Sequence, residues 1–185
     1  MPAPVEFVPA EGPVTEPVTK VGGQPVWRGE EAQWPLSKES GEPMEFIGQF
    51  AVRDGALAYL FMAGSGEDTF EPDGGENALI VQPGGRVPDF VAGVRELAAG
   101  PTAGADHLPV LGEPDPDEEC WQFLGGPGVE PRWLQGEEVP GEGWELVAQL
   151  DSTALPFEVD FGDTGIGYAF LSPDGKEGRF LWQCA

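Results

Sequence analysis

The sequence predicts a mostly β protein with minor α content, in which two pseudo-symmetric β units, related by internal duplication, pack into one compact domain. Three observations lead there. The chain of 185 residues carries 28 glycines and 20 prolines, about a quarter of its length, yet also eleven Phe, six Trp and two Tyr. Low-complexity disorder would lack such aromatics. Second, the aromatics fall in short apolar clusters separated by Gly and Pro, the punctuation of short strands and tight turns. Third, a set of motifs recurs in the same order in the two halves.

The elements follow along the chain. Residues 1–19 hold Pro2, Pro4, Pro9, Pro13 and Pro17. Proline fixes φ and donates no ladder bond, so a central strand is disfavoured and an extended N-terminal arm is expected, packing through Phe7 and Val8. The first unit, 20–100, opens with the turn Val21-Gly22-Gly23-Gln24-Pro25-Val26-Trp27, and Trp34-Pro35 follows an acidic loop. Met44 to Val52 reads as a strand, Arg53-Asp54-Gly55 as a hairpin turn using the positive φ that Asp-Gly supplies, and Ala56 to Met62 as its partner. The partner is apolar on both faces and hence buried on both. Ala78 to Gln82 is a third short strand, ended by Pro83-Gly84-Gly85. From Pro88 to Ala99 the residues Phe90, Val91, Val94, Leu97 and Ala98 share one face at helical spacing, with Pro88 suited to a first turn and Gly100-Pro101 to a stop; the spacing predicts a helix. Residues 101–119, rich in Gly, Pro and acids, read as a linker holding the single histidine, His107.

In the second unit, 120–185, the pattern returns. Leu124-Gly125-Gly126 echoes Val21-Gly22-Gly23, and Trp133 echoes Trp27. Trp144 to Leu150 echoes Met44 to Phe50 with Gln149 over Gln49. Gly165 to Leu171 echoes Gly55 to Phe61 with Tyr168 over Tyr59 and Phe170 over Phe61. Each unit alone is too small to hide its apolar strands, so the two are expected to pack face to face.

Charge bounds the function. Thirty-three acids against nine bases give a net charge of −24. Binding to nucleic-acid phosphate or to anionic membranes draws on Lys and Arg, so neither is expected as a partner; a basic protein is. No apolar stretch approaches the roughly 18 residues of a membrane span, and no basic stretch followed by an apolar run marks a secretory leader. A cytoplasmic protein with two free thiols, Cys120 and Cys184, is the expectation.

Chemistry-bearing constellations are sparse. His107 stands beside Asp106 without a Gly-x-Ser-x-Gly elbow, so no nucleophile–base–acid triad is expected. Cys120 follows Asp117-Glu118-Glu119, whose charge disfavours a thiolate. Two Cys and one His cannot close a four-ligand structural zinc site without carboxylates, and the densest acidic run, Glu113, Asp115, Asp117, Glu118 and Glu119, lacks calcium-loop spacing. No Gly-rich loop has the Lys-Ser/Thr and helix of a phosphate cradle, so no cofactor is expected. The pair Asp160 and Asp163 can serve acid–base work if burial separates their pKa values; a turn, with Asp163 capping backbone donors, is the simpler reading. Gln49 and Gln149, inside apolar strands, read as architectural, each able to satisfy one buried donor and one acceptor.

The segments Lys20 to Trp27, Phe46 to Phe50 and Phe161 to Phe170 resemble the YwqG-like family, a bacterial domain of unknown function, over most of Lys20 to Cys184. That family is distantly similar to the programmed-cell-death-two proteins, dedicated chaperones for a ribosomal protein, whose extra cysteine motifs have no counterpart here. The resemblance implies a chaperone-like protein. With the charge, it gives the functional expectation: a non-catalytic binder of a basic protein, using the run Glu113, Asp115, Asp117, Glu118 and Glu119. The alternative is a carboxylate-dependent hydrolase or small-ligand-binding protein with its site in the cleft between the units.

Overall fold

Twelve strands and almost no helix form the protein in a computed structural model that describes residues 1–29, 31–64 and 68–185. The strands are β1 (Val5–Pro9), β2 (Lys20–Val21), β3 (Trp34–Pro35), β4 (Glu45–Ala51), β5 (Leu57–Met62), β6 (Asn77–Gln82), β7 (Val94–Arg95), β8 (His107–Leu111), β9 (Phe123–Leu124), β10 (Glu145–Asp151), β11 (Ile166–Leu171) and β12 (Gly178–Gln183). A six-stranded sheet has the order β1-β8-β2-β4-β5-β6, and a four-stranded sheet the order β12-β11-β10-β9. β3 and β7 make a small third sheet.

The central strands form where apolar residues alternate between two faces that are both covered. In β5, Ala58, Leu60 and Met62 face a layer that also takes Val147, Ala169, Leu171 and Phe180 from the smaller sheet. Its other residues, Leu57, Tyr59 and Phe61, face an outer layer with Trp34, Phe46 and Ile80. β11 divides the same way: Ala169 and Leu171 turn to the shared layer, and Ile166, Tyr168 and Phe170 to a second outer layer with Phe123 and Leu181. Three apolar layers therefore alternate with two sheets, which is why both strands read as unbroken apolar runs.

The two sheets repeat one pairing scheme. Gln49 lies opposite Tyr59 and Gln149 opposite Tyr168, with a register shift at Phe46/Gly48 in one and at Leu146/Ala148 in the other. Lys20 lies opposite Gln49 as Phe123 lies opposite Gln149. Gly22 N–H donates to Ile47 O (2.7 Å) where Gly125 N–H donates to Val147 O (2.8 Å). Gly22 holds a φ of 73°, and a Cβ there would stand 2.0 Å from Ala105 O, so the turn requires glycine. The hairpin at Arg53–Gly55 forms as the sequence predicts, with φ of 61° at Asp54 and 72° at Gly55.

Three points of the fold depart from the sequence reading. No helix forms over 88–99. Phe90, Val91 and Leu97 do pack inward, but Val94 and Arg95 pair with Trp34 and Pro35, and Val94 is exposed. Leu36 N–H reaches Gly93 O (2.9 Å), and Phe90 lies under the Arg179 guanidinium; contacts with distant residues override a local period. Second, the stretch 101–119 read as linker contains β8, which pairs along its whole length with β1 and meets β2 at Val21. His107 is a half-buried strand residue, not a linker residue. The proline-rich arm supplies β1 at the rim of the sheet, where missing donors are tolerated. Third, β12 has no counterpart in the sequence reading.

The sheets meet along both rims. Val5 N–H donates to Gln122 O, and the Gln122 amide returns a bond to Val5 O, both at 3.0 Å. On the far side Arg86 N–H donates to Lys176 O (2.9 Å), and a Cβ on Gly178 would sit 2.4 Å from Leu79 O. Arg53 binds Ser172 O and Pro173 O across the units.

Candidate functional site

Coil, not helix, covers the outer faces, and buried coil needs partners for its peptide groups. In-strand polar side chains supply them. Gln49 Oε1 accepts from Val26 N–H (2.9 Å) and its amide donates to Val18 O (2.9 Å). Gln149 Oε1 accepts from Arg132 N–H (2.8 Å) and its amide donates to Trp121 O (3.0 Å). Tyr59 donates to Val26 O and accepts from Arg28 N–H; Tyr168 donates to Arg132 O and accepts from Leu134 N–H. Trp27 lies 4.9 Å from Tyr59 and Trp133 lies 4.6 Å from Tyr168, centroid to centroid. Burial pushes both phenols up, Tyr168 to about 12 and Tyr59 further.

This clamp on Arg132 positions the acidic run. From Glu113 to Glu119 the chain is exposed. Asp115 orders it, its Oδ1 accepting from Asp117 N–H (2.9 Å) and its carbonyl from Glu118 N–H (3.3 Å). Glu119 pairs with the Arg132 guanidinium, which lies 4.5 Å over the Trp121 ring. Asp117, Glu118, Glu119 and Arg132 line a depression of about 460 Å³ that shares its Glu130–Pro131 wall with a second, of about 530 Å³, lined by Glu137, Glu142, Trp144 and Glu145. The two make one carboxylate-rich surface over the smaller sheet. No three His, Cys, Asp or Glu among the described residues are grouped to hold a cation.

The remaining candidates are scattered. Cys120 borders the acidic depression, half-buried and free, its thiol donating to Gln122 O (3.4 Å). Burial is the leading cause that raises its pKa, and Arg132 opposes it. Cys184 is also free. His107 places Nδ1 2.7 Å from Ala105 O, and its neighbour Asp106 is taken by Lys20 (2.5 Å), so no triad assembles. Asp160 and Asp163 are both exposed. Asp160, not Asp163, caps the turn by accepting from Gly162 N–H (2.9 Å). The depression between the units, about 240 Å³, contains neither of them; among the described residues its one carboxylate, Glu145, faces Arg53 at 3.5 Å.

Sequence reasoning missed the buried Lys20–Asp106 pair. It also missed Glu76, buried and bound to Ser37 Oγ (2.5 Å) and Glu39 N–H (2.7 Å). Lys20 stands at the head of the Gly-Gly motif, a position where the second unit has Phe123; that mismatch was the available signal. Among the described residues no helix is long and apolar enough to cross a membrane. No family model matches the chain, and no curated protein matches it.

Proposed function

We propose that this chain is a non-catalytic, chaperone-like binding protein that holds a basic protein partner against its acidic surface. The observation that carries this reading is the pair of adjoining depressions over the smaller sheet, bordered by Asp117, Glu118, Glu119, Glu130, Glu137 and Glu142. Clustered like charges cost self-repulsion that a cationic ligand relieves, and they steer such a ligand inward. The net charge of −24 acts in the same sense. The likeness of Lys20 to Trp27, Phe46 to Phe50 and Phe161 to Phe170 to the YwqG-like family supports it further. The shared register of the two sheets supports an origin by duplication. A cytoplasmic site of action is part of the proposal.

The test is association kinetics with oligolysine, then with whatever basic protein a native lysate yields at low salt. Neutralising the run with Asp115→Asn, Asp117→Asn, Glu118→Gln and Glu119→Gln slows association about tenfold at low salt and leaves near-UV circular dichroism unchanged. The exposed position of all four residues predicts that the fold survives. Unchanged association overturns the reading. So does a substrate turnover that Asp160→Asn or Asp163→Asn abolishes, which is the pattern of a carboxylate-dependent hydrolase.

A further inference from the structure

β8 is paired along its entire β1 side, from Val5 opposite Leu111 to Pro9 opposite His107. On its other side β2 has two residues, and only Val21 reaches β8, opposite His107. The phase of the ladder tells which groups are left over. Gly112 N–H donates to Pro4 O, and Ala10 N–H to Asp106 O. Even-numbered residues of this stretch thus aim their peptide groups at β1, and odd-numbered ones aim away. His107 spends that side on Val21. Pro109 has a carbonyl there and no N–H; Leu111 has both. The register on that side stops at His107 opposite Val21, so Leu111 has no ladder partner there among the described residues.

Side chains at this edge are unusual as well. Val110 is 50% and Leu111 61% exposed, two adjacent aliphatic residues left to solvent on a strand. An apolar depression of about 490 Å³ lies between Leu108–Pro109 and the stretch 13–19. Glu16 lines the depression, and two further carboxylates flank the strand: Glu6 opposite Val110, and Glu113 two residues beyond Leu111.

We infer that this open edge takes up an extended segment of the basic partner as an added strand. Leu111 N–H and C=O and Pro109 C=O bond the incoming backbone. Its apolar side chains cover Leu111 on one face of the strand, and its Lys or Arg residues lie on the other, beside Val110 and its pair Glu6, within reach of the field of Glu16 and Glu113. The inference rests on the reading of a basic partner given above and adds where and how that partner is gripped. A second copy of this chain is the poorer occupant, because each copy carries −24 and the edges would meet across like charge. Pro109 withholds one donor, which blunts the edge against indiscriminate pairing and leaves charge to set the choice.

The test uses the full chain and three probes: a short peptide of alternating lysine and valine, the same peptide N-methylated at alternate residues, and oligolysine. Leu111→Pro removes the free donor while leaving every β1 bond in place. It is expected to weaken the lysine–valine peptide about three- to tenfold, the worth of one hydrogen bond, and to leave oligolysine unaffected. N-methylation weakens the peptide on the unaltered protein by at least as much, and this arm decides the matter should Leu111→Pro not fold. Amide NMR shifts centred on Leu108 to Leu111 support the inference. Equal binding of methylated and unmethylated peptide, or shifts confined to 113–119, overturns the added strand and leaves the acidic-surface reading standing. Failure of all three probes to bind overturns both. A dimer that strengthens as salt rises identifies a second copy as the occupant and overturns the inference.

Discussion

Replacing Gln49 or Gln149 by leucine separates an architectural role from any other. Leucine fills a similar volume and removes both polar atoms. Gln49→Leu leaves Val26 N–H and Val18 C=O without the partners they hold at 2.9 Å. Each orphaned group costs about 1–3 kcal/mol, so the pair costs about 2–6. Burying the leucine side chain returns about 1–2 kcal/mol of apolar transfer. A net loss centred on about 2.5 kcal/mol is expected, to be read as a shift in the urea midpoint at constant slope. Gln149→Leu orphans Arg132 N–H and Trp121 C=O in the other sheet, and the same arithmetic gives the same loss within about 1 kcal/mol. The two sites share no partner, so the double variant should add to within about 0.5 kcal/mol. A loss below about 1 kcal/mol for either variant refutes the reasoning: the coil would then be held by packing, with solvent replacing the amide.

Phe61→Ala and Phe170→Ala each remove a fully buried ring from an outer layer and should cost about 3–5 kcal/mol by the same denaturation assay; a loss near zero would place the ring at the surface. Alkaline titration tests the phenols. The chain has only two tyrosines, both with folded pKa values raised by burial, so their contribution to stability is intact below the ordinary value of about 10 and is lost as pH climbs toward about 12. Tyrosinate absorbance should rise in step with loss of circular dichroism over that window, and Tyr168→Phe, which orphans Arg132 C=O and Leu134 N–H, should lower stability at neutral pH while making its fall above about pH 10 shallower; ionisation well before unfolding would contradict the burial.

Much of the strand framework is legible because it is local. β4, β5, β6, β10 and β11 are short apolar runs fenced by turns, and Asp54-Gly55 announces its own hairpin. Gln49 and Gln149 stand out because a glutamine in such a run needs partners. What the sequence hides is decided by distant pairing. β8 lies in a stretch of Gly, Pro and acid, and its strand character comes from β1, about a hundred residues earlier. The segment 88–99 has a helical period that its contacts with Trp34 and Arg179 overrule. Nothing local to Lys20 shows that it is buried against Asp106, 86 residues further on. Of the candidate site, the exposed run 113–119 was visible in composition. Its junction with Glu130, Glu137 and Glu142 was not, because the coil that carries them is folded back over β10.

That coil joins stability to binding. A sheet with two apolar faces and no helix to cover them must bury irregular backbone, and the residues that make this tolerable are Gln and Tyr within the strands. Over the larger sheet, Gln49 and Tyr59 meet at Val26. Over the smaller sheet, Gln149 and Tyr168 meet at Arg132, whose guanidinium holds Glu119. Equivalent clamps thus do unequal work, since only the second carries the acidic surface. The leucine variants, alike in stability, should therefore differ in binding. Below the unfolding range Gln149→Leu releases Arg132 N–H and Trp121 C=O, leaving Arg132 held by Tyr168 alone, and loosens the carboxylates around Glu119, slowing association with oligolysine, whereas Gln49→Leu leaves the rate as it was. Equal rates for the two would mean that the carboxylates attract by their number alone, and that the arrangement around Arg132 adds nothing to the grip.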